Sequence, residues 1–215
     1  TGDLQQTGQT IVWVARDGRL LGLLEISDVA RPESAQVVRA LRTLGLRVAM
    51  VTGDAEAAAR VIAGRLGIDD IYAQVLPQDK AEIVRRLQAE GRKVVFVGEG
   101  INDSPALAQA DVGMALASGT DIAMEAADIT LTHGDLGGVI TAIQAARQSM
   151  RTIRGNLFWA FFYNILLIPV AAGVAIPLGI QLNPMLAGVA MGLSSVFVLS
   201  NSLRLKRLQP WVASP

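Results

Sequence analysis

The sequence predicts an α/β domain that is followed by a hairpin of two membrane-spanning helices. Helix and strand patterns alternate between about residue 33 and residue 131. The strands are short, continuous apolar runs, which are typical of a mostly parallel sheet with both faces covered. From 155 to 203 the chain contains no Asp, Glu, Lys, Arg or His. Hydrophobic residues make up 51% of the chain, which fits a soluble part joined to a membrane part.

A β-hairpin is predicted near the start of the chain, with strands at 11–14 and 20–24 on either side of the turn Asp17-Gly18. Apolar residues at helical spacing and short apolar runs predict the elements that follow. The helices are expected at 33–44, 55–66, 78–89 and 104–110, and the strands at 47–51, 71–75, 93–97, 112–115 and 129–131.

A long helix is predicted after the last strand. Asp135 is a suitable N-cap, and the apolar residues Ile140 and Met150 follow in a helical pattern. Because no proline occurs before Pro169, the helix is expected to continue as a stalk into the first apolar stretch.

Two apolar stretches, 155–178 and 184–203, each reach the roughly 20 residues that a helix needs to span a bilayer. A buried core helix is the alternative, but two uncharged stretches side by side favour membrane spans. The link 179–183 is uncharged, whereas basic residues flank both outer ends: Arg147, Arg151, Arg154, Arg204, Lys206 and Arg207. The positive-inside rule therefore predicts a multi-pass protein of the plasma or inner membrane, with its soluble domain in the cytosol.

Composition excludes several classes of function. The chain has 19 basic and 19 acidic residues and a net charge of zero, so no nucleic-acid partner is expected. It has no Cys, so disulfides and thiolate metal sites are excluded. The polar N-terminus does not resemble a signal peptide.

Polar residues follow two predicted strands at the edge where parallel strands end together. Thr52-Gly53-Asp54 follows the strand at 47–51, and Glu99, Asn102 and Asp103 follow the strand at 93–97. Ligands of open α/β sheets bind beyond the carboxyl ends of strands, so both loops are expected to face one crevice. Lys80, near the start of a helix, supplies a cation. A hydroxyl, a lysine and carboxylates suited to Mg²⁺ can together position and neutralise a phosphoryl group.

Each of these features also has a structural explanation. A Thr-Gly-Asp sequence is commonly a turn, and a lysine at the start of a helix is commonly solvated. Asn102-Asp103 before Ser104-Pro105 can cap a helix. It is the order and spacing of the features that favour a catalytic site.

These motifs resemble the phosphorylation domain of heavy-metal P-type ATPases, within the haloacid dehalogenase superfamily, over nearly the whole chain. The matching segments are Asp28-Val29-Ala30-Arg31-Pro32-Glu33, Thr52-Gly53-Asp54, Leu76-Pro77-Gln78-Asp79-Lys80, Gly98-Glu99-Gly100-Ile101-Asn102-Asp103-Ser104-Pro105-Ala106-Leu107 and Ala110-Asp111-Val112-Gly113. The resemblance implies a haloacid dehalogenase-like, Rossmann-like parallel sheet, with ATP as substrate and Mg²⁺ as cofactor.

The resemblance also implies a role for each site residue. Thr52, in the turn with Gly53 and Asp54, would hydrogen-bond the phosphoryl group, and Lys80 would pair with its charge. Asn102 would orient the group. Glu99 would bind Mg²⁺ and Asp103 would support the metal.

Two departures from the family pattern bear on activity. Glu99 stands where the family usually has Asp, and we interpret it as a working variant. The family's phosphorylated aspartate lies in an Asp-Lys-Thr-Gly-Thr segment, which this sequence lacks. The chain alone is therefore expected to be inactive, and the soluble part is expected to fold incompletely without that strand. The missing N-terminal part of the same pump would be its partner.

The resemblance predicts these domains: a remnant of the nucleotide-binding domain with a strand link at 1–25, a phosphorylation domain at 26–134, a stalk helix at 135–154, the two spans within 155–203 and a cytosolic tail at 204–215.

Polar and thioether side chains within the spans indicate a transport site. Tyr163 and Asn164 lie in the first span, and Met191 and Ser195 lie in the second. Polar residues in a membrane are costly and often functional, and thioether sulfur is a ligand that suits Cu⁺. The pattern resembles the copper class, whereas the intramembrane Lys and Asp of the zinc class and the His-Glu motif of the cobalt class are absent. Helix packing is the alternative explanation.

The sequence therefore predicts part of an ATP-driven pump that exports Cu⁺ through a phosphoenzyme, with a copper chaperone as a further partner. Two alternatives remain open. One is a membrane-anchored phosphatase of the haloacid dehalogenase type, although its Asp-x-Asp motif is not found at a strand end. The other is a non-catalytic modulator of an intact pump.

Overall fold

The computed structural model describes residues 10–26, 30–132, 134–174, 176–179 and 184–213. The chain forms two compact units. One consists of residues 1–140 together with 211–215, and the other of residues 141–210.

The first unit begins with the predicted β-hairpin. Strand β1 (Thr10–Arg16) pairs antiparallel with β2 (Arg19–Ile26), and the register shifts between Val14 and Ala15. Its apolar side chains are largely exposed; Trp13, for example, is 53% exposed.

Two parallel strands and two helices follow the hairpin. They are α1 (Ser34–Thr43), β3 (Ala49–Val51), α2 (Glu56–Leu66) and β4 (Asp70–Tyr72). Met50 of β3 lies opposite Ile71 of β4. Both side chains pack against a small core of Val38, Ala63 and Ile68. The helices thus cover the strands with the apolar residues that gave them their predicted periodicity.

The second group of parallel strands carries its own core. It contains α3 (Lys80–Ala89), β5 (Val95–Gly98), α4 (Ser104–Gln109), β6 (Val112–Leu116), α5 (Asp121–Ala126) and β7 (Ile129–Leu131). The strand order is β5-β6-β7, with both pairs parallel. Leu107, Ala115 and Ala123 form the buried cluster.

The predicted elements of this unit are confirmed, with two differences. Strand β4 ends at Tyr72, before the predicted end at 75, because Gln74 adopts a positive φ of 55° and turns the chain. Helix α5 was not predicted. The hydroxyl of Thr120 caps this helix by accepting from the backbone N–H of Ala123 at 3.3 Å.

The parallel sheet consists of two pieces. Strand β3 pairs with β4, and β5 pairs with β6, but no ladder joins β3 to β5 among the described residues. Each of these two strands therefore has one edge without a neighbouring strand. The parallel arrangement is as predicted, whereas the division is a finding of the structure.

The second unit is built on two long helices. Helix α6 spans Gly137–Ala171, beginning in the first unit, and α7 spans Pro184–Leu203. Asp135 caps α6 as predicted, since its Oδ1 accepts from the backbone N–H of Gly138 at 2.9 Å. In the part of the chain that the structure describes, α6 is the one helix long and apolar enough to cross a membrane. The second span stays a prediction.

Helix α6 stops earlier than the first apolar stretch. It ends at Ala171, whereas the apolar stretch was expected to span the membrane as far as 178. The chain then turns, with the N–H of Val174 donating to the carbonyl of Pro169 at 3.0 Å, and forms a short helical turn at Ile176–Leu178. Most of the predicted link, 180–183, lies outside the described residues, as does His133.

Polar and aromatic contacts join α6 to α7 within the second unit. The amide of Asn156 donates to Ser202 Oγ at 3.0 Å and accepts from Asn201 Nδ2 at 2.8 Å. The rings of Trp159 and Phe197 meet edge to face, 5.3 Å apart. Neither contact was predicted, because each pairs residues that are distant in sequence.

Candidate functional site

An ion pair between Lys80 and Asp103 forms the centre of the candidate site. Lys80 is the first residue of α3, and Asp103 ends the short helical turn Ile101–Asp103 that follows β5. Lys80 Nζ lies 2.7 Å from Asp103 Oδ1, and the side chains are only 16% and 15% exposed. The structure thus brings together two residues that the sequence placed in one crevice.

The second oxygen of Asp103 is held by backbone donors. Its Oδ2 accepts from the N–H of Glu99 at 3.2 Å and from that of Gly100 at 3.1 Å. A Cβ at Gly98 would lie 2.7 Å from Asp103 Cβ, so only glycine allows this close approach. Burial raises the pKa of Asp103, but the hydrogen bonds from Lys80 and the two N–H groups outweigh burial and hold it below its ordinary value. Asp103 is therefore a fixed carboxylate at neutral pH.

The side chain of Glu99 has partners of its own. Nη2 of Arg31 donates to Glu99 Oε2 at 2.8 Å, and Nη1 donates to the carbonyl of Gly134 at 2.6 Å. The hydroxyl of Ser118 donates to the same Glu99 oxygen at 3.4 Å. The side chain of Glu99 remains 52% exposed, so its carboxylate is accessible from solvent.

The loop after β6 packs on the backbone of Glu99. The N–H of Thr120 donates to the Glu99 carbonyl at 2.9 Å. A Cβ at Gly119 would lie 2.3 Å from that carbonyl oxygen, which is too close for any other residue. Arg31, Ser118 and Gly119 were not predicted to belong to the site. Arg31 lies in the segment Asp28–Glu33, which resembles a motif of the P-type ATPases. The motif drew attention to this segment but did not indicate that Arg31 contacts Glu99.

Thr52, Gly53 and Asp54 form a compact turn after β3. The hydroxyl of Thr52 donates to Asp54 Oδ2 at 2.7 Å and accepts from the Asp54 N–H at 3.1 Å. The N–H of Thr52 also donates to the Tyr72 carbonyl at 2.9 Å. The turn is exposed, and in the described part of the chain no hydrogen bond links it to Lys80 or Asp103.

Asn102 is exposed and its amide makes no hydrogen bond within the described residues. Its donors and acceptor are therefore free to bind a ligand.

The carboxylates of the site fit Mg²⁺ in the chemistry of their donors. Mg²⁺ takes hard oxygen ligands and commonly binds one or two carboxylates together with phosphate oxygens and water. Glu99 has an exposed carboxylate, whereas both oxygens of Asp103 already accept hydrogen bonds. No group of three or more His, Cys, Asp or Glu converges among the described residues. Further ligands would thus have to come from phosphate oxygens, water or a residue outside this set.

The predicted transport residues lie on α6 and α7, and two of them bond to their own helices. Asn164 Nδ2 donates to the Ala160 carbonyl at 2.7 Å, and Ser195 Oγ donates to the Met191 carbonyl at 3.1 Å. Met191 is 63% exposed. No hydrogen bond joins Tyr163 or Asn164 to Met191 or Ser195 in the described chain. The predicted Cu⁺ ligand set therefore stays a prediction.

Comparison with protein families identifies the fold. A model of the haloacid dehalogenase-like hydrolases matches residues 1–111. The chain belongs to this family. A second model of haloacid dehalogenase-like hydrolases matches residues 80–143. Both matches contain the Lys80–Asp103 pair, and they confirm the predicted haloacid dehalogenase-like α/β fold. The family is one of hydrolases, in agreement with the predicted enzyme class.

Within this haloacid dehalogenase-like family, the chain is similar to heavy-metal P-type ATPases. It is 55% identical to a probable copper-transporting ATPase of Synechocystis over 94% of this chain and 27% of that protein. It is 51% identical to a copper-transporting ATPase of Rhizobium meliloti over 96% of this chain and 25% of that protein. These relatives confirm the resemblance drawn from the motifs. The chain spans about a quarter of their length.

A solved structure shows the same fold. The chain superposes on the crystal structure of a zinc-transporting PIB-type ATPase in the E2·Pi state with a TM-score of 0.82 and 37% sequence identity. The match covers 96% of this chain and 33% of the solved one.

Proposed function

We propose that this chain is the C-terminal part of an ATP-driven pump that exports Cu⁺. Its relatives at 55% and 51% identity are named copper-transporting ATPases, and they align with nearly the whole of this chain. The observation that carries the proposal is the largely buried ion pair of Lys80 with Asp103 beside the exposed Asn102 and Glu99. This is a fixed set of charges and hydrogen-bonding groups of the kind that phosphoryl transfer requires.

The gap between strands β3 and β5 suggests where the phosphorylated aspartate of the pump would lie. Among the described residues, strands β3 and β5 each have an edge without a neighbouring strand, and unpaired backbone groups of a parallel strand need partners. We infer that one further strand, supplied by another part of the pump, lies between them. Its carboxyl end would place an aspartate between the turn at Thr52 and the pair of Lys80 and Asp103.

The reaction assigns a task to each residue. The aspartate attacks the γ-phosphorus of ATP, ADP leaves, and water later cleaves the acyl phosphate. Lys80 pairs with the charge of the transferred phosphoryl group, while Thr52 and Asn102 donate hydrogen bonds to its oxygens. Glu99 would bind Mg²⁺, with Asp103 holding the loop around it, and the ion would neutralise phosphate charge when bound.

Helix α6 supports coupling of this chemistry to transport. It is a single helix of 35 residues from Gly137 to Ala171. Its first part carries Arg147, Arg151 and Arg154, and no charge follows within the helix. A continuous helix transmits a displacement at one end to the other, so a change at the phosphorylation site would move the apolar segment.

The transported ion is assigned to residues of both apolar helices. We infer that Tyr163, Asn164, Met191 and Ser195 contribute to the Cu⁺ site, because thioether sulfur favours Cu⁺. Asn164 and Ser195 now bond to carbonyls of their own helices. Those bonds satisfy polar groups in an apolar segment until helices supplied by the rest of the pump add ligands.

The proposal is tested by Mg²⁺-dependent phosphorylation of the intact pump from radiolabelled ATP. Labelling stimulated by Cu⁺ and not by Zn²⁺ is expected, and Glu99→Ala should abolish it. Glu125→Gln, which alters an exposed carboxylate in α5 that makes no hydrogen bond among the described residues, is the matched control. Stimulation by Zn²⁺ alone would transfer the assignment to the zinc class. Normal labelling of Glu99→Ala would refute the role of Glu99.

A fragment experiment separates the enzyme proposal from its alternatives. The chain of residues 1–215 by itself should form no phosphoenzyme, and co-expression with the N-terminal part of the pump should restore labelling. Turnover of a phosphate monoester by the isolated chain would instead support the phosphatase alternative.

A further inference from the structure

The second unit contains a basic cavity between α6 and α7. It has a volume of about 270 Å³ and lies within residues 141–210. Its lining combines two arginines, three polar side chains, a glycine and two aromatic rings: Arg151, Arg204, Gln148, Thr152, Asn201, Gly155, Trp159 and Phe197.

The second unit contains no acidic side chain of its own. From residue 136 to residue 215 the sequence contains no Asp or Glu. The side chains of Arg151 and Arg204 also form no ion pair or hydrogen bond with any described residue. The two guanidinium groups therefore line one cavity with their donors unused, and an anion from outside the chain is the partner they lack.

The lining of the cavity changes from charged to apolar along both helices. On α6, Trp159 lies eight residues beyond Arg151, which is about 12 Å at 1.5 Å per residue. On α7, Phe197 lies seven residues before Arg204, about 10 Å. The rings of Trp159 and Phe197 contact one another and are 45% and 44% exposed. The cavity thus offers charge at one end and aromatic surface at the other.

A buried threonine and a half-buried asparagine form the cavity wall between these ends. Thr152 is 6% exposed. Asn201 is held by its hydrogen bond to Asn156, which also bonds Ser202. This network links the two helices at the level of the cavity, so the two arginines are presented from a connected pair of helices.

We propose that this cavity binds the headgroup of an anionic phospholipid. The phosphodiester accepts hydrogen bonds from Arg151 and Arg204, and the first acyl carbons lie against Trp159 and Phe197. Arg154 and Arg204 are the last and first charges on either side of the uncharged stretch 155–203, so the cavity lies at the level of the cytosolic headgroups. This inference rests on the membrane insertion in the proposed function.

The aromatic end of the cavity favours a lipid over a soluble phosphate. A free phosphate ion would use the guanidinium groups and leave the exposed faces of both rings in contact with water. A phospholipid covers charge and apolar surface at once, and aromatic residues are enriched at the membrane–water interface for this reason.

The test measures lipid binding to the intact, delipidated pump by native mass spectrometry. Phosphatidylglycerol should bind about 30-fold more tightly than phosphatidylcholine, since each arginine near the headgroups contributes a factor of about five. The double variant Arg151→Gln/Arg204→Gln should lose this preference. The matched control Lys206→Gln/Arg207→Gln removes the same charge outside the cavity and should keep most of it. In Arg151→Lys/Arg204→Lys, which retains the charge, the preference for phosphatidylglycerol should lie between those of the two glutamine variants. This variant also serves as a check on folding.

Several outcomes would overturn the lipid site. One is equal binding of the two lipids to the wild-type protein. Another is an equal loss of the preference for phosphatidylglycerol in both glutamine variants, which would mean that the lipid is attracted by the overall positive charge and not by this cavity. Displacement of phosphatidylglycerol by millimolar glycerol 3-phosphate would assign the cavity to a soluble phosphate. Extraction of the wild-type pump from membranes by alkaline carbonate would instead refute membrane insertion. Failure of the lipid preference in a pump that resists extraction refutes this inference alone.

Discussion

Arg31 and Glu99 form an ion pair across a separation of 68 residues, with Nη2 of the arginine 2.8 Å from Oε2 of the glutamate. The pair joins the start of the α/β domain to the loop that carries the proposed Mg²⁺ ligand. The carboxylate of Glu99 is thereby held by a residue that precedes β3 in the chain.

We expect a small, salt-sensitive coupling between Arg31 and Glu99. A double-mutant cycle of Arg31→Ala and Glu99→Asp should give a coupling free energy of about 0.2–1 kcal/mol at low salt, because the side chains are 38% and 52% exposed and solvent screens the pair. The coupling should shrink toward zero in 1 M salt. Denaturant unfolding of the variants measures it. A coupling unaffected by salt would show that the contact is not electrostatic.

The contact of Arg31 with the Gly134 carbonyl should contribute separately. Arg31→Ala loses this 2.6 Å hydrogen bond as well as the ion pair, so it should lower the free energy of unfolding by about 1–2 kcal/mol. The control is Arg39→Ala, which removes an exposed arginine of α1 whose side chain has no partner among the described residues. The free energy of unfolding of the control should fall by no more than about 0.5 kcal/mol.

Replacement of Lys80 by Met should lower the free energy of unfolding at neutral pH and make it depend less on pH in the acid range. The pKa of Asp103 is held below its ordinary value, so Asp103 contributes stability that is present above its unfolded pKa and is lost as the pH falls through the folded pKa. Without Lys80, burial still raises the pKa while the strongest donor is gone, so the folded pKa should rise. Carboxyl NMR titration of Asp103 and unfolding midpoints between pH 3 and pH 7 measure the change. An unchanged pKa would refute the role of the ion pair.

Substitution of Asn102 by Ala should separate catalysis from stability. Its amide is exposed and makes no hydrogen bond within the described chain, so stability should change by less than about 0.5 kcal/mol. Phosphoenzyme formation should fall by about 10²- to 10³-fold, the range for loss of one donor to a reacting group. Rapid-quench labelling measures the rate. A stable variant with normal labelling would remove Asn102 from the site.

A methyl group at Gly119 should disturb the loop that carries Glu99. Its Cβ would lie 2.3 Å from the Glu99 carbonyl oxygen, so the backbone must shift, and Gly119→Ala should cost about 1–3 kcal/mol. Gly64→Ala, in the last turn of α2 with no atom within 4 Å of the new Cβ, should stabilise the protein by about 0.5–1 kcal/mol. Thermal unfolding of the two variants should therefore move in opposite directions. A shift in the same direction would contradict the contact.

The sequence by itself determined the order of elements and the residues of the candidate site. Both depend on local patterns. Apolar runs predicted strands such as β3 and β5, polar residues directly after those strands predicted a crevice that includes Asp103, and the position of Lys80 near the start of a helix predicted a cation for it. The resemblance carried by the Gly98–Leu107 segment then identified a family that the comparisons confirm. The helix α5 escaped prediction because it is only six residues long and has little periodicity to detect.

Only the tertiary structure decided how these residues are held. The partners of Glu99 are Arg31 and Ser118, and the sheet is divided between β3 and β5. Asn156 joins α6 to α7 through Asn201 and Ser202. Each contact pairs groups that are far apart in sequence, and the free energy of such a pair depends on distance and burial after folding. Local propensity depends on the backbone preferences of a few neighbouring residues, so it cannot predict which distant side chains contact one another.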